Sequence, residues 1–194
     1  NYDVLKNKDW SLSVGANATF IKNEIVTLPE EMRENGYIDG SKKWMEGSSI
    51  YEFWLRQWYG VDPATGNGLY YPDTEAYDSS NAAYAKTLVT INGETLTNDY
   101  SYAKYDYSGA SMPKVFGGFN FKLGYKAFDL SATFSYQLGG HTLDTSYAGL
   151  LSASEYGYSM HPDLKKSWKK PGDITDIPRL DANATHNTNV SQSY

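Results

Sequence analysis

Residues able to ligate, exchange protons or attack are few in this sequence, and their spacing builds no site. His141, His161 and His186 lie far apart, and none has a second histidine at the spacing a zinc or iron site needs. The chain has no cysteine, which removes disulfides, zinc ribbons and thiol nucleophiles together. Asp62, Asp73, Asp78, Asp173 and Asp176 offer oxygens to calcium, yet no D-x-[DN]-x-[DN]-G-x5-E loop is present. Asp62 opens Asp62-Pro63-Ala64-Thr65-Gly66-Asn67-Gly68, a dense run of turn formers, and is expected to bond its own turn. A glycosidase needs two facing carboxylates roughly 5–9.5 Å apart. Glu46, Glu52 and Glu75 sit among aromatics, but the sequence does not pair them. There is no serine elbow and no phosphate loop, and Gly117-Gly118 falls inside a strand pattern, where close packing or a bulge is expected. No catalytic residue, metal or cofactor is expected.

Aromatic side chains are the exception to this poverty. The 194 residues include 18 Tyr, 7 Phe and 5 Trp, although the mean hydropathy is low. Tyr100, Tyr102, Tyr105 and Tyr107 crowd one polar segment, while Tyr147, Tyr156, Tyr158 and Trp168 fall in another. Aromatics in loops can stack on sugar rings and anchor protein interfaces, or pack the loops against one another. The sequence leaves both open. Acidic residues outnumber basic ones 23 to 17, so the net charge of −6 argues against a nucleic-acid partner.

Three segments alternate apolar and polar residues almost without error. Trp10, Leu12, Val14, Ala16, Ala18 and Phe20 share one face of the first. Val115, Gly117, Phe119, Phe121, Leu123 and Tyr125 share a face of the second; Phe128, Leu130, Ala132, Phe134, Tyr136 and Leu138 share a face of the third. The opposite faces carry Ser, Thr, Asn, Gln, Gly and Lys, which suits a hydrated lumen. A soluble strand usually has about 5–6 residues, whereas crossing a bilayer takes about 9–11, and these segments have the longer span. Tyr125-Lys126-Ala127-Phe128 leaves room only for a tight hairpin. Trp10, Tyr125 and Phe128 then lie at strand ends, where a membrane-interface girdle requires aromatics. A fourth strand is expected over Ile50–Tyr59, and Leu69–Tyr71 starts a returning one. The long polar stretches 23–49, 72–113 and 139 to the end read as loops, with short helices around Asp78–Lys86 or Asp163–Trp168. No stretch of about 18 apolar residues exists, so no transmembrane helix is expected. The chain opens in mid-pattern at Asn1 and closes on a polar run at Tyr194, so both ends read as cut.

Four motifs, in order, resemble the later barrel region of SusC/RagA-like TonB-dependent transporters. Phe20-Ile21-Lys22-Asn23-Glu24-Ile25 is similar to that family's strand end, and Tyr59-Gly60-Val61-Asp62-Pro63-Ala64-Thr65-Gly66 to its turn. Met112-Pro113-Lys114-Val115-Phe116-Gly117-Gly118-Phe119 leads to Gly124-Tyr125-Lys126-Ala127-Phe128-Asp129-Leu130-Ser131, where the family commonly has Gly in place of Ala127. Trp168-Lys169-Lys170-Pro171-Gly172-Asp173-Ile174-Thr175-Asp176-Ile177-Pro178-Arg179 resembles a family loop. The implied fold is all-β: about five strands of a larger antiparallel transmembrane β-barrel with long extracellular loops. Residues 1–194 would form part of a TonB-dependent receptor barrel domain, with plug, TonB box and terminal strands outside this stretch.

The resemblance implies bacterial outer-membrane location, contact with membrane lipid, and import of an oligosaccharide or peptide. It also implies TonB and a SusD-like surface lipoprotein as partners, and no catalysis. Ligand- or lid-contacting candidates are the seven loop tyrosines and Trp168; the girdle candidates are Trp10, Tyr125 and Phe128. In a bacterial barrel the sequons at Asn17, Asn183 and Asn189 are chance matches. Two alternatives stand beside this reading: a secreted carbohydrate-binding β-sandwich and a glycan-cleaving enzyme.

Overall fold

Backbone pairing draws the three alternating segments into one sheet. In the computed structural model, residues 1–151, 157 and 159–180 are described. Tyr156, Tyr158, His186 and the sequons at Asn183 and Asn189 lie outside the described residues. The chain divides into two units, the first being Asn1–Asp39, Lys43–Glu52 and Gly109–Thr142. Gly40–Lys42, Phe53–Ser108 and the described residues from Leu143 onward make the second.

The first unit is dominated by a four-stranded antiparallel sheet in the order β1 (Tyr2–Lys6), β2 (Trp10–Phe20), β11 (Val115–Tyr125) and β12 (Phe128–Leu138). Its three long strands have 11 residues each. At about 3.3 Å per residue that is roughly 36 Å of strand, enough to cross a hydrocarbon layer of about 25–30 Å at the usual tilt. The register has no slip: Trp10 pairs Tyr125, Tyr125 pairs Phe128, and at the other end Phe20 and Leu138 flank Val115. Because directly paired residues point the same way, the apolar residues of the three segments fall on one face, except Phe116, which lies with Thr19 and Gln137 on the other. A one-residue slip would mix the faces.

Both short turns lie at one end of this sheet. Asn7 accepts from the backbone N–H of Asp9 and Trp10 at 3.0 and 2.8 Å, and Lys126 N–H donates to Asp9 at 2.9 Å. Lys126 takes a left-handed φ of 51° to close the 125–128 hairpin. The expected tight turn is present, with Lys126 rather than a glycine carrying the strained backbone.

Since β2 and β11 are neighbours, residues 21–114 are one connection leaving the opposite end of the sheet. That sheet holds four strands, where about five barrel strands were expected. Ile50–Tyr59 is not one strand: it breaks at Gln57 into β5 (Glu52–Arg56) and β6 (Trp58–Val61). Gln57 instead donates its N–H to the Lys104 carbonyl at 2.9 Å and accepts from Tyr71 N–H at 3.0 Å. The expected return at Leu69–Tyr71 is β7 (Gly68–Tyr70), too short to span. Earlier in the connection, β3 (Tyr37–Asp39) and β4 (Lys42–Trp44) bring the Tyr37 and Trp44 rings to 5.3 Å.

The stretch 72–113 is folded rather than open. After α1 (Ala82–Ala85), β8 (Leu88–Ile91) and β9 (Glu94–Thr97) form a hairpin, and β10 (Tyr105–Ala110) follows. Asn92 and Gly93 close that hairpin with φ of 54° and 86°, the two left-handed residues a type I′ turn demands. The sheet β6-β7-β9-β8 buries Leu69, Tyr70, Leu96 and Thr97 almost completely, giving the second unit its core. Toward the C-terminal side, a 3-10 turn at Pro162–Lys166 lies where a short helix was expected near 163–168, and α2 (Thr145–Leu151) was not expected.

Candidate functional site

The apolar face of the long strands is the largest chemical feature of the first unit. Phe20, Phe128, Leu130 and Leu138 are 58–78% exposed, and Phe119 and Phe134 stack at 4.6 Å on an open surface. Trp10 and Tyr125, in register, bring their rings to 4.2 Å, and Phe128 is the next partner along. The three girdle candidates thus sit together at the short-turn end. Near the other end Tyr136 lies over Gly117 and donates its hydroxyl to the Asn17 carbonyl at 2.9 Å. A Cβ on Gly117 would fall 2.8 Å from that hydroxyl and closer still to the carbonyl, so the expected close packing is the reason for this glycine.

In the second unit most candidate tyrosines pack against their own loops. Tyr100 and Tyr105 hold the Arg56 guanidinium at 4.8 and 4.9 Å from their ring centres, and Arg56 Nε donates to the Tyr100 carbonyl at 3.0 Å. Tyr105 and Tyr107, two apart on β10, both meet Trp54 of β5. Tyr102 lies 4.9 Å from Tyr77 and 5.4 Å from Tyr84. Burial raises the Tyr84 hydroxyl pKa, with Asp73 adding to the shift. The four tyrosines of 100–107 are half-buried. Arg56, Tyr77 and Tyr84, absent from the sequence candidates, organise them. An arginine inside an aromatic strand was the only available signal.

Trp168 is also committed. Its indole N–H donates to the Pro63 carbonyl at 2.9 Å, and Gly172 N–H reaches the same oxygen at 2.8 Å. The ring covers Gly66, whose φ is 74° and whose missing Cβ would lie 2.4 Å from the indole. Arg179 N–H closes the clasp on the Gly66 carbonyl at 2.8 Å. Two motifs about a hundred positions apart therefore form one module. Asp62, buried, accepts from Ala64 N–H and the Thr65 hydroxyl at 2.9 and 2.5 Å, which is the turn-bonding role expected of it.

Several of the other carboxylates are occupied in the same way. Asp73, Asp78 and Asp173 each accept backbone N–H groups of their own turns. Glu46 accepts from Leu28 N–H at 2.8 Å and pairs with Arg33 at 3.2 Å; Glu75 is exposed. The imidazole of His141 lies where a Cβ on Gly109 would go, and His161 Nδ1 accepts from Asp163 N–H at 3.2 Å.

Among the described candidates, Tyr147 is the exposed one. Its hydroxyl donates to Asp163 Oδ2 at 3.0 Å, its ring meets His161 at 4.9 Å, and Lys166 donates to Asp163 Oδ1 at 2.7 Å. The lysine hydrogen bond first, and Tyr147 second, hold the Asp163 carboxyl below its ordinary pKa. The same contacts raise Tyr147 and Lys166. A cavity of about 450 Å³ opens beside this cluster, lined also by Ile174, Thr175 and Ile177.

No family model matches the chain. Over 184 residues, 90% of the chain, it is 27% identical to TonB-dependent receptor P3 of Formosa agariphila. In an alignment of 240 positions covering the whole chain it is 22% identical to TonB-dependent receptor P39 of the same organism. The RagAB peptide transporter superposes on 97% of the chain with a TM-score of 0.74 at 21% identity. For the RagAB peptide importer in the closed-closed state the TM-score is 0.73 at 22% identity, again over 97% of the chain.

In sequence the chain resembles TonB-dependent receptors, and in fold it resembles a stretch of the RagAB transporter.

It spans 17% and 22% of the two curated relatives and 20% of the RagAB chains it matches. The four motifs that carry the resemblance have distinct places in this chain. Two border the outgoing connection at Phe20 and Val115, and the other two are the clasped partners Gly66 and Trp168.

Proposed function

We propose that the chain forms part of the wall and outward loops of a TonB-dependent outer-membrane transporter importing an oligomeric nutrient, a peptide or glycan. The observation that carries this reading is the exposed apolar face, three strands wide, in register and of spanning length. In a β-sandwich that face would be buried beneath a second sheet. Lipid is the medium in which it is at lowest free energy, while the opposite face of Ser, Thr, Asn and Gln suits a wet lumen. A lone open sheet cannot span a bilayer, because its edge N–H and C=O groups would meet hydrocarbon; the neighbouring staves come from the rest of the parent protein.

In this reading the turns at 7–9 and 126–127 are periplasmic, and Trp10, Tyr125 and Phe128 lie at the inner headgroup level. The connection 21–114 and the residues beyond Gly139 are extracellular. TonB drives the transporter through parts outside residues 1–194, and a SusD-like surface lipoprotein delivers ligand. Import is binding and gated passage, with no bond broken, so the chain is not an enzyme. Of the described candidates, Tyr147 is the one left exposed toward ligand or lid, whereas Tyr100, Tyr102, Tyr105, Tyr107 and Trp168 hold loops in shape. The relatives' names, TonB-dependent receptor and RagAB peptide importer, agree with this class of function.

The test is purification of the native parent protein from outer-membrane fractions, with uptake of labelled peptides and glycans measured with and without TonB. TonB-dependent uptake and a co-purifying lipoprotein are expected. A parent recovered as a soluble protein overturns the reading.

A further inference from the structure

A cavity of about 530 Å³ lies where the apolar face meets the long connection, within the volume range of small-ligand sites. Its walls are mostly apolar, from Phe20, Ile21, Met112 and Val115, and it also takes in Lys22 and Lys114. Phe20 and Val115 are registered partners on the apolar face, whereas Thr19 and Phe116, their neighbours on the opposite face, do not line it. The cleft therefore opens on the same side as the strands' apolar residues. Ile21 N–H extends the ladder by donating to the Lys114 carbonyl at 3.1 Å, so both lysines lie just beyond the ends of the long strands.

Two cations and one carboxylate, Glu52, line the cleft. Lys22 pairs with Glu24, but its side chain is 84% exposed, and such a pair is readily exchanged for a phosphate. Lys114 forms no ion pair among the described residues. Lysines at a membrane boundary lay their stems on apolar wall and keep their ammonium groups at the headgroups, where they attract anionic lipid.

We propose that this cleft holds one anionic, phosphate-bearing lipid of the outward-facing leaflet. Its acyl chain lies along Phe20, Met112 and Val115, and its phosphate sits between the ammonium groups of Lys22 and Lys114. The inference rests on the reading of the apolar face as lipid-facing.

The experiment reconstitutes the intact parent protein in phosphatidylcholine nanodiscs carrying a trace of lipid with a photoactivatable acyl chain. That probe is either phosphatidylglycerol or phosphatidylcholine, and crosslinked peptides are mapped by mass spectrometry. The anionic probe is expected to label 20–21 and 112–115 several-fold more than the zwitterionic one. In the double variant Lys22→Gln, Lys114→Gln that preference disappears, while both probes still label Leu130 and Phe134 equally. Heat-modifiable migration on gels checks that the variant is folded. Equal labelling of the cleft by both probes, or a preference that survives the double variant, overturns the lipid site. So does a cleft left unlabelled while Leu130 and Phe134 react, the result expected if another segment of the parent chain fills it. Failure to label Leu130 and Phe134 instead overturns the membrane reading beneath the inference.

Discussion

Gly66→Ala should open the clasp between the two distant motifs. At a φ of 74° an added Cβ is strained, and it would meet the Trp168 indole at 2.4 Å. The left-handed conformation costs an L-residue roughly 1–2 kcal/mol. Overpacking adds about 1–3 kcal/mol, or else the indole swings away and forfeits its hydrogen bond to Pro63, worth about 0.5–1.5 kcal/mol. The expected destabilisation of the module is therefore about 1.5–5 kcal/mol, a loss of roughly 10-fold or more in the closed population. Hydrogen exchange on the parent protein reads it directly, through the N–H groups of Gly172 and Arg179 that donate to Pro63 and Gly66. Their protection should collapse in Gly66→Ala, while that of the β11–β12 ladder stays unchanged. Trp168→Phe keeps a ring over Gly66 and loses only the indole N–H, so it should cost about 0.5–1.5 kcal/mol. Wild-type protection at Gly172 and Arg179 in Gly66→Ala would refute the claim that this glycine exists to seat the indole.

Three further outcomes are expected. Phe134→Lys, mid-strand on the apolar face, should destabilise the barrel by about 2–4 kcal/mol, whereas Thr133→Lys on the other face should be near neutral; the urea midpoints of the reconstituted parent decide this, and equal midpoints would count against a lipid-facing Phe134. Gly117→Val should push Tyr136 off the Asn17 carbonyl at a cost of about 1–3 kcal/mol, visible as a lower thermal midpoint for loss of heat-modifiable migration. On the acid side, the Asp163 cluster should loosen as its carboxyl protonates. Its carboxyl pKa is depressed below the ordinary 3.8, so the stabilisation is present above that pH and is lost as pH falls through the lower folded value. Exchange protection around Pro162–Lys166 should be flat from neutral pH to about 5 and fall below 4, and Asp163→Asn should remove that dependence.

Period-two alternation made β2, β11 and β12 legible with nearly correct ends, because a sheet with two unlike media on its faces must alternate strictly. The 125–128 hairpin and the Asp62 turn were equally local. The Asn92-Gly93 hairpin carried its own signal too, but it lay in a stretch read as polar loop. Ile50–Tyr59 misled because continuous aromatics have no period that distinguishes one long strand from two short ones serving different sheets.

The sequence by itself determined which face of each long strand is apolar and where the tight turns at 7–9 and 125–128 fall. These follow from chemistry between residues close along the chain. Only the tertiary structure decided that β2 lies beside β11, which turns residues 21–114 into a single folded excursion. It alone decided that Trp168 is spent on Gly66, and that Tyr100 and Tyr105 are spent on Arg56. Such pairings join residues dozens of positions apart, and an aromatic ring carries the same local signature whether it meets a ligand or its own chain.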